Sequence, residues 1–230
     1  MLTTAAPQAS RREQAKSERR ARIVDATHDL LREVGMDELT VKLVAERADV
    51  SPATVYNLFG TKGAVLARMF ELDLLGFQKL VDDAPSENAL QRIFDAVAIA
   101  ADLYRQDPDF YRATMWSRSS GPEEDGEAAL AMREPRTRFW TAMVEQAISE
   151  GYLRPKTDPT VLGVLMIQIA AGVLSDWVLK IISVDQLERE TSFGFAVLLT
   201  HYATREAVAG LRARVTALEE HLSSGRRRAR

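Results

Sequence analysis

The sequence predicts an all-α protein, with a small N-terminal three-helix helix-turn-helix unit followed by a larger helical domain. Three observations carry this. Apolar residues recur three and four apart over long segments, and no two-residue alternation is sustained, so the pattern is helical. Only 8 prolines and 12 glycines interrupt 230 residues. Residues 40–62 read as two short helices around a tight turn, with a start signal at each helix.

In chain order, residues 1–22 carry six basic and two acidic side chains and little apolar content, so they are expected to be disordered alone. They lack the apolar core of a signal peptide. They serve either as a basic arm adding phosphate or minor-groove contacts, or as a solvated leader; residues 1–19 are taken as the arm. Ile23, Ala26, Thr27, Leu30, Leu31 and Val34 then keep helical spacing up to Gly35, a natural C-terminal stop.

Thr40 and Ser51 are cap residues, each able to accept from an amide of its first helical turn, and Pro52 suits the position after the cap. Leu39 facing Val44, and Val50 facing Val55, supply hydrophobic staples. Val41, Val44, Ala45 and Ala48 share one face, as do Val55, Leu58 and Phe59, and the two faces are expected to pack together. Ala53 and Asn57, flanked by Thr54 and Tyr56, stay outward. This is a small uncharged surface of methyl, amide, hydroxyl and phenol groups, suited to base edges in a major groove.

Gly35 through Leu66, with Val44-Ala-Glu-Arg-Ala48, Val50-Ser51, Thr54-Val55-Tyr56, Phe59 and Thr61-Lys62, resembles the DNA-binding domain of TetR (tetracycline repressor) family transcriptional regulators. The resemblance implies phosphate contacts from Thr40, Tyr56 and Lys62, and a position nearest the bases for Pro52, Ala53, Thr54 and Asn57, with Ser51 capping the reading helix. Two positions depart from the family pattern. Asp49 occupies the turn where Gly is common, a place that Asp tolerates less freely. Leu43 stands where a polar residue is common and points away from the helix-helix contact.

Thr61 caps a further helix bearing Val65, Leu66, Met69, Phe70 and Leu72 onward to Val81, which by resemblance is a lever joining residues 20–66, the DNA-binding domain, to 67–222, a ligand-binding and dimerisation domain. A helix is expected over 88–105, a break at Asp107-Pro108, a shorter helix with Phe110, Tyr111, Met115 and Trp116, and a loop over 117–126 because of Gly121-Pro122 and three acids. The next helix covers 128–150, with Pro135 near its start, and closes at Gly151-Tyr-Leu-Arg154. Phe94, Tyr104, Phe110, Met115, Trp116, Phe139, Trp140, Met143, Met166 and Trp177 either line an apolar chamber among the helices or pack as ordinary core. Arg133, Arg136 and Arg138 either recognise an acidic ligand group or form a solvated face.

Helices over 160–182 and 185–204 follow. The resemblance implies that they pair with a second subunit's as a four-helix bundle. Gly163, Ala170, Ala171 and Gly172 would permit close approach, and the apolar surface is wider than one chain covers. Gln168, Asp176 and Lys180 within the most apolar run argue for a protein interior over a membrane. Val208, Leu211, Val215, Leu218 and Leu222 form a short seam that either extends a dimer as a coiled coil or packs back on the domain. Residues 223–230, a basic tail, are expected to be disordered.

Net charge is +1 over residues 1–66, +4 over 226–230 and −8 elsewhere, so an acidic body with a basic front would present one face to a polyanion. The absence of cysteine excludes disulfides and thiolate zinc sites and is compatible with a cytoplasmic setting. No Gly-rich phosphate loop, His-Glu-x-x-His pair or Gly-x-Ser-x-Gly elbow is present, and His28, His201 and His221 are scattered. No catalytic residue, metal site or cofactor is expected. The sequence thus favours a homodimeric repressor, released from a palindromic double-stranded DNA operator by a small, largely apolar effector. The alternative is an all-helical binding module or enzyme with a vestigial helix-turn-helix.

Overall fold

Why the ten helices among the described residues form where they do is decided mainly at their ends. The computed structural model describes residues 11–120 and 133–228, with side chains described for 11–115 and 133–223. Helix α1 spans Arg11–Glu38 with a kink at Gly35, whose φ of 74° lies in the left-handed region that glycine adopts without Cβ strain. Helices α2 (Val41–Arg47), α3 (Pro52–Phe59) and α4 (Lys62–Asp83) follow. All three begin alike: the hydroxyls of Thr40, Ser51 and Thr61 accept from the amides of Leu43, Thr54 and Ala64 at 3.2, 3.2 and 2.9 Å. Asp49 does take the left-handed turn position, with φ 53°.

Two cores result. In the first, Ile23, Leu30 and Leu31 of α1 meet Val44 and Ala45 of α2, Val55 of α3 and Val65, Leu66 and Met69 of α4. Leu43, without a role on the helix-helix face, packs on the edge of this core, and Leu39 and Val50 join it as well.

Helices α5 (Ala89–Gln106), α6 (Pro108–Ser120), α7 (Arg133–Ser149), α8 (Pro159–Val178), α9 (Val184–Tyr202) and α10 (Val208–Arg228) build the second part. Its core gathers Ile93 and Val97, Val144 and Ala147, Leu162 and Met166, and Phe195 and Leu199. The Gly151–Arg154 stretch pins the end of α9: Arg154 N donates to the Tyr202 carbonyl at 2.9 Å, and Thr204 N to that of Tyr152 at 3.0 Å.

Several expectations are corrected. Residues 11–19 are helical instead of disordered, because Arg, Glu, Gln, Ala and Lys are inexpensive helix residues that extend a helix already nucleated by the packed Ile23–Leu31 segment. Ser117–Ser120, assigned to a loop, continue α6; only Gly121-Pro122 beyond them oppose a helix, and 121–132, including the expected helix start at 128, lie outside the described residues, as do 1–10. In the tail, α10 runs to Arg228, and 229–230 lie outside the description. Helix α8 stops at Val178 instead of 182, where Lys180 turns left-handed with φ 59°.

The seam on α10 packs back on the domain. Leu211 is buried and Val215 joins the second core, and Arg214 lies over the Phe94 ring at 4.0 Å and donates to Gln91 at 2.5 Å. Three small residues assigned to the subunit seam have contacts or cavity surface within the chain. A Cβ on Gly163 would stand 2.9 Å from Thr141 Oγ1 and 3.0 Å from its backbone nitrogen, so Gly163 lets α8 lie close on α7. Ala171, like its neighbour Ala170, faces the chamber described below.

Candidate DNA-reading surface and ligand chamber

Helix α3 turns Val55 inward, 1% exposed, with Leu58 and Phe59 half-buried against the same core. The opposite face is consequently left to solvent. Ser51, Pro52, Ala53 and Asn57 are exposed, and Tyr56 is 53% exposed, much of an aromatic ring presented to water. Thr54 is half-buried, and its hydroxyl lies 2.9 Å from that of Ser51, so it reinforces the cap. Thr40 is exposed at the start of α2, while Lys62 is half-buried at the start of α4. The helix is braced from both sides. Arg20 of α1 donates to the Leu58 carbonyl at 2.8 Å and lies 5.7 Å from the Phe59 ring. Arg47 of α2 makes a two-pronged contact with Glu33 of α1 at 2.8 and 2.6 Å, which draws the Glu33 carboxyl below its usual range.

The second part forms a half-open cavity of about 580 Å³ among α4 to α9, a size suited to a small organic molecule. Of the aromatic and methionine candidates, Tyr104, Met115, Phe139 and Trp140 line it. Phe94, Phe110, Met143, Met166 and Trp177 do not, and the reason in each case is helix register. Phe110 is 2% exposed and closes the first core against His28, with ring centroids 4.3 Å apart. Phe94 lies under Arg214 of α10, and Met143 and Met166 belong to the second core. Trp177 is 1% exposed and stacks behind Tyr104 at 5.2 Å, backing the chamber wall without reaching its surface. The Trp116 side chain lies outside the described residues.

Sequence reasoning missed Phe70, Asp73, Leu74 and Phe77, although their i, i+3, i+4, i+7 spacing on α4 is a stripe that could have located them. Two charged groups share this mostly apolar lining, which also holds Thr114, Ser175 and Thr191. Asp73 is pushed above the ordinary carboxylate range by burial, against the pull of His28 Nε2 at 3.7 Å and of Arg32. Arg136, one of three arginines weighed on its helix, lines the chamber, and burial draws its pKa down; Arg133 and Arg138 are exposed, and Arg138 pairs with Glu134 at 2.9 Å. Burial also pushes the Tyr104 and Tyr111 phenols up to about 12.

A capped helix with a stapled inner face and a bare outer one, mounted on a chambered helical body, defines a helix-turn-helix DNA-binding protein. Residues 23–69 match the model of bacterial regulatory proteins of the tetR family. An uncharacterised helix-turn-helix transcriptional regulator of Bacillus subtilis, YdeS, is 30% identical over 143 residues, covering 59% of this chain and 68% of the relative. The transcriptional repressor KstR of Rhodococcus jostii is 34% identical over 119 residues, covering 48% of this chain and 54% of its own. Among solved structures, the TetR-family repressor FadR of Thermus thermophilus, crystallised with lauroyl-CoA, superposes with a TM-score of 0.65 at 20% identity, covering 81% of this chain and 96% of that one. The chain belongs to the tetR family of DNA-binding transcriptional regulators.

Proposed function

We propose that the protein is a ligand-responsive repressor that binds its operator as a homodimer and leaves it when a small, largely apolar molecule occupies the chamber. The observation that carries this reading is the outward face of α3, where Ala53, Tyr56 and Asn57 are exposed because Val55 and its neighbours occupy the inner face. Pro52, Ala53, Thr54 and Asn57 lie nearest the bases; Thr40, Tyr56 and Lys62 touch phosphates, with Ser51 fixing the helix start. Asn pairs bidentately with adenine and a methyl meets a thymine methyl, so this surface reads sequence, whereas the phosphate contacts set register.

Dimerisation through α8 and α9 is supported by apolar side chains on and beside them: Val161, Leu179, Ile181 and Val197 are 47 to 65% exposed. The α8 segment Pro159–Val178 is by length and composition apolar enough to cross a membrane. It packs on α7 and α9, and a second copy would cover its outer face. Two reader heads about one turn of DNA, roughly 34 Å, apart call for a near-palindromic operator. A chamber ligand that binds better to a form with wrongly spaced heads lowers operator affinity by that difference.

The test is a salt-dependent mobility shift on the DNA upstream of the protein's own gene. Tyr56→Ala and Lys62→Ala are expected to weaken binding to every sequence, with Lys62→Ala reducing the salt slope by about one. Undiminished binding by both variants would overturn the assigned orientation of α3.

A further inference from the structure

We propose that the first turns of α1 form a rigid clamp on the operator backbone, in which Arg12, Lys16 and Arg19 bind phosphates beside the groove that α3 reads. This rests on the reading of α3 as the DNA-reading helix. Arg12, Lys16 and Arg19 recur at four- and three-residue steps, and the same stripe continues through Ile23, Ala26 and Leu30, which are buried in the first core. Helix α1 is unbroken up to Gly35, so residues of one stripe stand on one side of it. The side that packs on the other reader helices is therefore the side that turns basic where the packing ends. Arg20, next to this stripe, donates to the Leu58 carbonyl at the C-terminal end of α3, which fixes the position of α3 relative to the cations.

The direction of α1 decides what these cations meet. His28 and Arg32 touch Asp73 and Asp107 at the chambered body, Arg20 touches α3 several turns earlier, and the helix then runs on away from the body. Arg12 stands about 12 Å beyond Arg20, at roughly 1.5 Å per residue. Arg12 and Arg19 are exposed and Lys16 is half-buried, and among the described residues no hydrogen bond or ion pair ties any of the three. A duplex seated on α3 brings its backbone to this end. Phosphates of one strand follow at about 3.4 Å along the axis, so roughly 12 Å of helix spans three or four of them. A helix about 10 Å wide does not enter a minor groove of about 6 Å, so these cations lie across phosphates and add affinity without reading sequence.

The experiment titrates the full-length protein onto the same upstream DNA at several salt concentrations, comparing wild type with Arg12→Gln, Lys16→Gln and Arg19→Gln combined. Glutamine keeps the helix propensity of the segment, and an unchanged thermal midpoint reports that the variant is folded. The combined variant is expected to bind about tenfold or more weakly at physiological salt, with a salt slope shallower by up to about 5, from roughly 0.9 for each of some six phosphates on a dimer. Base preference in a randomised operator library should be unchanged, and ethylation interference should vanish at a few phosphates of each half-site and persist at the others. Arg12→Lys with Arg19→Lys should keep the wild-type slope, since charge alone serves a phosphate, and Arg133→Gln, exposed on α7, should match the wild type. Wild-type affinity and slope in the glutamine variant, or loss of slope in the lysine variant, overturns the clamp and leaves the α3 reading standing. Altered base preference overturns the assignment to phosphates. Wild-type protein that shows no salt-dependent DNA binding overturns both readings.

Discussion

Asn57 and Tyr56 are neighbours on α3, but their chemistry separates two kinds of contact. The Asn57 amide has the donor and acceptor needed for one base edge, so Asn57→Ala is expected to cost roughly 1–3 kcal/mol at a single base-pair position and to relax preference there. Binding of a randomised operator library, sequenced before and after selection, reads this directly; an unchanged preference at every position would place Asn57 away from the bases. In the chamber wall, the Tyr104 phenol tests how well that surface is shielded. Its pKa is pushed up to about 12 by burial, whereas in an unfolded chain it ionises near 10. The folded form then holds its proton where the unfolded form releases it, so the stability that the neutral phenol contributes is complete below pH 10 and is lost as pH rises toward 12. Tyr104→Phe should flatten the alkaline limb of a denaturant-midpoint profile between pH 9.5 and 11 (roughly the onset of that window), with Tyr111, similarly raised, accounting for part of what remains.

At the scale of helices, the packing of α8 on α7 depends on one missing side chain. A Cβ on Gly163 would meet the Thr141 backbone nitrogen at 3.0 Å, and a backbone atom cannot swing aside as a side-chain tip can. Gly163→Ala is therefore expected to destabilise the fold by about 1–3 kcal/mol in urea unfolding, despite the gain in helix propensity. Gly194→Ala would bring its Cβ to 2.5 Å from Ile169 Cγ2, a methyl on a β-branched carbon held largely to one rotamer in a helix, so it too should be destabilising. These close contacts bear on which parts of the fold could be read in the sequence. Thr40, Ser51 and Thr61 cap amides three residues on, and Val55 turns inward for reasons confined to its own helix, so the reading unit was legible from local spacing. The chamber was not, because its lining is decided by how separate helices are rotated against one another. Tyr104 and Trp177 are stacked aromatics, yet one lines the cavity and the other stands behind it, and nothing within either helix distinguishes them. Likewise Gly163 reads as a small residue at a seam, and only the assembled chain shows that its partner is Thr141.

Across the whole molecule, the question is how an occupied chamber reaches α3, and the contacts converge on α1. That helix holds the reader through Arg20 on Leu58 and through Glu33 on Arg47, and its other side grips the chamber walls. His28 faces Asp73 of α4 at 3.7 Å; Arg32 bonds Asp107, at the start of α6, at 2.5 Å and lies 4.9 Å from the Phe110 ring. The same α6 presents Tyr111, Thr114 and Met115 to the cavity, so a ligand that shifts α6 pulls on Arg32. This ion pair is half-exposed and worth at most about 1 kcal/mol to stability, which allows its role in coupling to be tested without unfolding the protein. Allosteric ratios of about 5- to 150-fold are usual between two sites. If α1 carries the signal, Arg32→Gln should leave ligand-free operator affinity and chamber affinity each within about threefold of wild type, while the ratio of operator affinities with and without ligand falls several-fold. Measuring all four binding constants by fluorescence anisotropy and calorimetry closes the thermodynamic cycle. A ratio unaltered by Arg32→Gln would shift the route to α4, whose Lys62 end stands at the reader and whose Phe70, Asp73 and Phe77 line the chamber directly.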